Sequence, residues 1–164
     1  MVLNRAWINH PLVTHMTANG THNMIGDYSV TPVEAKYTAP QDLIITHFMV
    51  LVEDVGKMDS SFYGNAIVLT NGIRLVYLDP DGVELFDMLD GQTISVNPDW
   101  ARFAEGLELI TWGTGNEHYV AHFEFYGQWG IPFYVPKDHS VAAILADDFT
   151  GLVQQHFAIV GTFV

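Results

Sequence analysis

Apolar and polar positions form short runs between residues 64 and 91, and turn signals separate these runs. Thr70-Asn71-Gly72 and Asp79-Pro80-Asp81-Gly82 contain the Asn-Gly and Asp-Gly pairs that supply the positive φ angles of tight hairpins. Between the two turns, alternate residues of IRLVYL (73–78) fall on opposite faces of a predicted strand, and both faces are mostly apolar. We therefore predict a strand that is covered on both sides, as in a sandwich or barrel.

The same reasoning predicts further strands along the chain. LIITHFMVLVE (43–53) is the strongest of them, and the others lie at 92–96, 107–112, 118–126, 140–146 and 154–164. One short helix is predicted from Asn97 to about Glu105, because Asn97 can cap it, Pro98 suits its first position and Gly106 ends it. Eight or nine short strands with few helical residues predict an all-β, antiparallel sandwich of jelly-roll type.

Residues 1–40 differ from the rest, because no helical or strand period lasts there beyond a few positions. The segment is too rich in apolar and aromatic residues for a disordered tail. We predict an extended N-terminal arm (1–40) and a β-sandwich domain (41–164), with the arm packed either on its own sandwich or on a neighbouring subunit. Trp7, Ile8 and Leu12 are the predicted interface residues. Asn19-Gly20-Thr21 matches a glycosylation acceptor, but a tight turn explains it better.

Composition narrows the possible partners. The 164 residues suit one domain, and with 49% hydrophobic and only 15% charged residues the surface is expected to be partly apolar. A formal net charge of −13 disfavours nucleic acid and anionic membranes. The absence of cysteine excludes disulfides and thiolate sites. We see no signal peptide, and no apolar run approaches the ~20 residues of a membrane span.

Few residues in the sequence suggest a catalytic or metal-binding site. His118, His122 and Glu124 fall on one face of a predicted strand, and a cupin-like metal site would use such residues. Histidines four apart along a strand are roughly 13 Å from each other, however, so polar strand-face residues are the favoured interpretation. His47 is expected to be a hydrogen-bonded core or rim residue. The sequence contains no serine-hydrolase or phosphate-loop motif, so we predict no enzyme and no cofactor.

The runs LTNGI (69–73), DPDG (79–82), LDG (89–91), TWGTG (111–115) and DDFTGLVQQHFAIVG (147–161) carry a resemblance. Together they resemble small β-sandwich virion proteins of tailed bacteriophages, the capsid decoration or head-associated class, over roughly the last two thirds of the chain. The resemblance implies an oligomeric shell component, often trimeric, that grips the capsid lattice by its arm or loops. It implies no catalytic residues.

The resulting hypothesis is a capsid decoration or cement protein that self-associates and binds the major capsid protein or other virion proteins. Its expected location is the capsid surface, after synthesis in the host cytoplasm. One alternative is a carbohydrate- or receptor-binding module that uses an exposed tryptophan, with Trp100, Trp112 and Trp129 as candidates. A cupin-like metalloenzyme built on His118, His122 and Glu124 is the less favoured alternative.

Overall fold

The computed structural model of the protein describes residues 11–54, 69–89, 93–94, 106–111, 117–124 and 133–164, with the backbone alone for Pro11, Asp54, 106–111 and 117–124. All regular structure in these ranges is β, which confirms the predicted all-β class. The strands are β1 (Pro11–His15), β2 (Val33–Thr38), β3 (Leu43–Asp54), β4 (Ile73–Leu78), β5 (Glu84–Asp87), β6 (Gly106–Thr111), β7 (Glu117–Glu124), β8 (Phe133–Val135), β9 (Ser140–Leu145) and β10 (Leu152–Phe163). The short helix predicted from Asn97 lies outside the described residues.

The strands form two antiparallel sheets. Sheet A has the order β1-β10-β3-β7-β6, with β8 also paired to β3, and sheet B has the order β2-β9-β4-β5. The pairing is nested along the chain, because β1 pairs with β10, β2 with β9, β3 with β7 and β4 with β5. Successive nested pairs alternate between the sheets, so each half of the chain contributes strands to both.

One hydrophobic core lies between the sheets and takes inward-facing residues from each. Phe48 of β3 and Phe157 of β10 stack with ring centroids 6.0 Å apart, and Leu75 of β4 and Ala143 of β9 belong to the same buried cluster. Burial of each such large side chain contributes about 1.5–3 kcal/mol. This shared core is the arrangement of a β-sandwich.

The outer face of β4 is buried as well. Val76 and Leu78 form a second buried cluster with Ala142 of β9, whereas Ile73 and Leu75 face the main core. The prediction of a strand covered on both faces is therefore confirmed. Among the described residues there is no helix with the length and apolarity needed to cross a bilayer.

Residues 11–40 contribute one edge strand to each sheet, β1 to sheet A and β2 to sheet B. Asn19 and Gly20 have φ angles of 52° and 79°, and Ala18 and Thr21 exchange two backbone hydrogen bonds of 2.9 Å. This geometry is the tight Asn-Gly turn predicted from the sequence. Leu12 packs against the main core. The described part of the predicted arm therefore packs on its own chain.

The Asp79–Gly82 segment is a hairpin turn. The Asp79 carboxylate accepts hydrogen bonds from the backbone N–H groups of Asp81 (2.9 Å) and Val83 (2.8 Å), and Gly82 has a φ of 83°. The carboxylate therefore stabilises its own turn, as the hairpin interpretation requires.

The turn before β4 is held by a distant carboxylate. Asp147 lies two residues after the end of β9, is buried, and accepts hydrogen bonds from the backbone N–H groups of Thr70, Asn71 and Gly72. Gly72 has a φ of 73°, in the left-handed region that favours glycine. Sequence predicts this turn, but it gives no sign that Asp147 holds it.

Candidate functional site

An exposed apolar strip lies at the edge of sheet B. Strand β5 pairs, among the described strands, only with β4. Val83 and Leu85 have relative exposures of 57% and 54%, and Phe86 follows at 48%. We call Val83, Leu85 and Phe86 the β5 strip. Natural sheets usually protect such edges with charge, proline or covering segments, because a free edge offers unpaired N–H and C=O groups to another chain.

The charges beside the β5 strip are paired within the chain. Arg74 of β4 reaches Glu84 at 2.6 Å and Asp87 at 3.4 Å through its Nη2 atom. The hydrogen bond to Glu84 is the main cause that raises the pKa of Arg74. A half-exposed network of this kind contributes about 1 kcal/mol or less to stability. The arginine offsets part of the negative charge of Glu84 and Asp87 beside the β5 strip.

The edge of sheet A carries a second exposed apolar position. Val13 of β1 is 70% exposed, while Leu12 beside it is half-buried against the core. Strand β1 pairs with β10 through the register Pro11↔Thr162 to His15↔Ala158. Both sheets therefore end in an edge strand that presents large apolar side chains to solvent. Such edges can bind another protein surface.

Of the three interface residues predicted from sequence, the structure describes Leu12. Trp7 and Ile8 lie outside the described residues. Leu12 packs on its own core, so its side chain is only partly accessible to a partner. Loss of Leu12 would consequently affect folding together with any assembly.

The metal-site candidates lie on β7, for which the backbone is described. Its register with β3 places His118 opposite Glu53, His122 opposite Met49 and Glu124 opposite His47. Within the residues whose side chains are described, no group of three or more histidine or carboxylate side chains is placed to hold a metal ion. The candidate tryptophans Trp100, Trp112 and Trp129 lie outside the described ranges.

His47 takes the role expected of it. Its Nδ1 atom lies 2.9 Å from Thr46 Oγ1, and the Thr46 hydroxyl donates in turn to the Val160 carbonyl oxygen at 3.2 Å. Thr46 is the extra residue at a β-bulge, because His47 pairs with Val160 and Ile45 with Gly161. The prediction of a hydrogen-bonded rim histidine is confirmed.

Sequence reasoning missed the β5 strip. The stretch VELF after the Asp79–Gly82 turn looks like the start of a covered strand, because the preceding strand β4 is covered on both faces. The available signal was that the strand itself begins and ends with an acidic residue, Glu84 and Asp87, since charged residues are typical of sheet edges. Which strand becomes an edge depends on the order of the whole sheet.

The fold defines an all-β protein built from two antiparallel sheets. No family model, no curated protein and no solved structure matches the chain. The surfaces described above are therefore the features of this protein that bear on its function.

Proposed function

We propose that this protein is a structural subunit that self-associates through its exposed sheet edges. The observation that carries the proposal is the β5 strip, where Val83 and Leu85 stay more than half exposed beside a charge-paired arginine. A monomeric protein gains nothing from such an edge and risks aggregation. A second copy of the chain would cover it.

We also propose a jelly-roll topology. A jelly roll forms when one long hairpin of nested strand pairs rolls up so that successive pairs enter opposite sheets. The pairs β1·β10 and β3·β7 in sheet A, with β2·β9 and β4·β5 in sheet B, follow this order. Viral capsid domains, lectins and cupins share this architecture, so the fold by itself does not choose among them.

The role we propose within this group is that of a capsid decoration or cement protein of a tailed bacteriophage. Support comes from the resemblance in residues 69–161 and from the apolar edges. The partners would be further copies of the chain, often three, and the major capsid or another virion protein. Trp7 and Ile8, which precede the edge strand β1, would join the same contacts.

Solution mass tests self-association. Light scattering at about 50 μM should give a defined oligomer for the full chain and a smaller species for Leu85→Glu, because each copy would place a new charge in an apolar contact. Val30→Glu is the matched control, since Val30 is 89% exposed and lies outside the β5 strip. Circular dichroism should show both variants folded.

A monomeric full chain would refute the proposal, and so would an oligomer that Leu85→Glu and Val30→Glu leave equally intact. Removal of residues 1–10 tests the contribution of Trp7 and Ile8 without touching β1. Peptide mass spectrometry of purified phage particles tests the virion role separately. If the protein self-associates but is missing from the particles, the virion role is refuted and the proposal of self-association is not.

A further inference from the structure

Three histidines from separate parts of the chain meet on one side of sheet A. His15 ends β1, His22 follows the Asn19-Gly20 turn, and His156 lies in β10. The ring centroids are 5.2 Å apart for His15 and His22, 5.6 Å for His15 and His156, and 5.1 Å for His22 and His156. Each ring is therefore a direct neighbour of the other two.

Backbone hydrogen bonds hold this cluster together. The segment 15–24, which we call the clip, is attached to β10 by donation from Met16 N to the Phe157 carbonyl oxygen and from Met24 N to the Gln155 carbonyl oxygen, both at 2.7 Å. Gln155 N donates to Asn23 Oδ1 at 3.0 Å. Met16 and Met24 are fully buried in the main core. Opening the clip would therefore remove two core side chains and uncover an edge of β10.

His156 is held in a neutral form. Its Nε2 atom lies 3.1 Å from Gln154 Oε1, which can only accept, so Nε2 carries the proton. Its Nδ1 atom is buried without a hydrogen-bond partner. Burial is the main cause that lowers the pKa of His156, followed by the charges of His22 and then His15, while the His22 backbone opposes the shift. A proton on Nδ1 is disfavoured as long as the clip stays closed.

The elements around the cluster offer little counter-charge. The clip and β10 contain no aspartate, glutamate, lysine or arginine, and the charged residues beside the clip on β2 are Glu34 and Lys36, of which Lys36 pairs with Thr17 through two backbone hydrogen bonds. On β3, Leu51 lies opposite His156, and buried Glu53 lies opposite Gln154. On β7, one strand further away, the register places His118 opposite Glu53. No carboxylate is among the causes of the His156 shift.

We propose that the His15, His22 and His156 cluster is a proton-sensitive latch that releases the clip from β10 in mildly acidic solution. Packed neutral rings tolerate the spacing of about 5 Å, whereas two or three charged rings at that spacing repel each other. The released form binds more protons than the closed form below the ordinary histidine pKa of about 6.5. The latch is therefore fully closed above that pH and weakens as the pH falls. This proposal does not depend on self-association.

Amide hydrogen exchange of the full chain tests the latch. Between pH 6.5 and pH 5.5, after correction for the intrinsic exchange rate, the protection of the Met16, Met24 and Gln155 amides should fall up to about tenfold for one proton taken up. Amides between β4 and β9 should change less than twofold. Addition of a chelator should leave the result unchanged, because the described side chains form no metal-holding group.

Two variants weaken the pH dependence to different extents. His156→Leu should abolish the pH dependence, since the partly buried titrating ring is gone. His22→Gln replaces an exposed ring with little risk to folding and should reduce it. His139→Gln is the control, because His139 stacks on Tyr77 outside the cluster. A tenfold change that persists in both variants, a change that the chelator abolishes, or no change in the unaltered chain would overturn the proposal.

Discussion

Replacement of Asp147 by asparagine should destabilise the protein far more than an equally small change beside it. Asp147 Oδ1 accepts from Thr70 N at 2.9 Å, Oδ2 accepts from Gly72 N at 2.8 Å, and Asn71 N lies within 3.2 Å of both oxygens. The carboxylate is buried and joins the end of β9 to the turn that starts β4. Asparagine has nearly the same size, so the change tests the hydrogen bonds with little effect on packing.

These contacts determine how much free energy of unfolding the Asp147→Asn substitution removes. Asparagine offers one acceptor oxygen, so either orientation of its amide sets an NH₂ group against one buried backbone N–H. An unsatisfied buried donor costs about 1–3 kcal/mol, and the bonds that remain lose the assistance of the negative charge. We expect a loss of about 3 kcal/mol in the free energy of unfolding. Total stability is typically about 5–15 kcal/mol, so this loss is large.

Urea unfolding followed by circular dichroism measures this loss. With a slope of about 2 kcal/mol per molar urea, the midpoint should fall by about 1.5 M. Asp148→Asn is the matched control, because Asp148 is exposed and, among the described residues, its Oδ1 accepts from Thr150 N and Thr150 Oγ1 nearby. That variant should lose about 1 kcal/mol or less. Equal midpoints for the two variants would refute the role given to Asp147.

Two further changes test local geometry. Gly161→Ala should lower the free energy of unfolding by about 2–3 kcal/mol, because a Cβ atom there would lie 2.5 Å from the Ile44 carbonyl oxygen. Urea unfolding measures this loss, and an unchanged midpoint would refute the close approach. The pKa of Asp42 is lowered mainly by a hydrogen bond from Lys137 N and then by one from the Tyr134 hydroxyl. In an NMR titration, Tyr134→Phe should therefore raise the Asp42 pKa part of the way to its ordinary value of 3.8, and an unmoved pKa would show that the hydroxyl has no influence.

Much of the fold can be predicted from the sequence, because its turns and long strands depend on residues that are close together along the chain. The turns at Asn19-Gly20 and Asp81-Gly82 need positive φ angles, and they contain the asparagine, aspartate and glycine residues that favour such turns. The long apolar run 43–53 matches β3 (Leu43–Asp54), and the run 154–164 matches β10 (Leu152–Phe163) closely. These features depend on a few neighbouring residues, so periodicity and turn chemistry are sufficient to predict them.

Features that depend on distant residues could not be predicted in this way. Residues 11–40 look irregular, yet β1 and β2 lie within them, because the edges of β10 and β9 are available for pairing. The histidine cluster joins His22 to His156, and no spacing along the chain indicates that contact. No spacing along the chain indicates the contact between Asp147 and the Thr70–Gly72 turn either. Tertiary structure decides these contacts, and a single sequence without aligned relatives gives no direct sign of them.

The nested pairing of the strands also bears on how the chain folds as it is made. Strand β10 lies between β1 and β3 in sheet A, although it is the last of the described strands to be synthesised. Until it leaves the ribosome, β1 lacks its partner among the described strands, and β3 lacks the neighbour with which it shares its longest register. Contacts between residues so far apart in sequence form slowly, on a scale of milliseconds to seconds. Sheet A is therefore completed only once β10 has been synthesised, and until then the nascent chain exposes the edges of β1 and β3 that β10 covers.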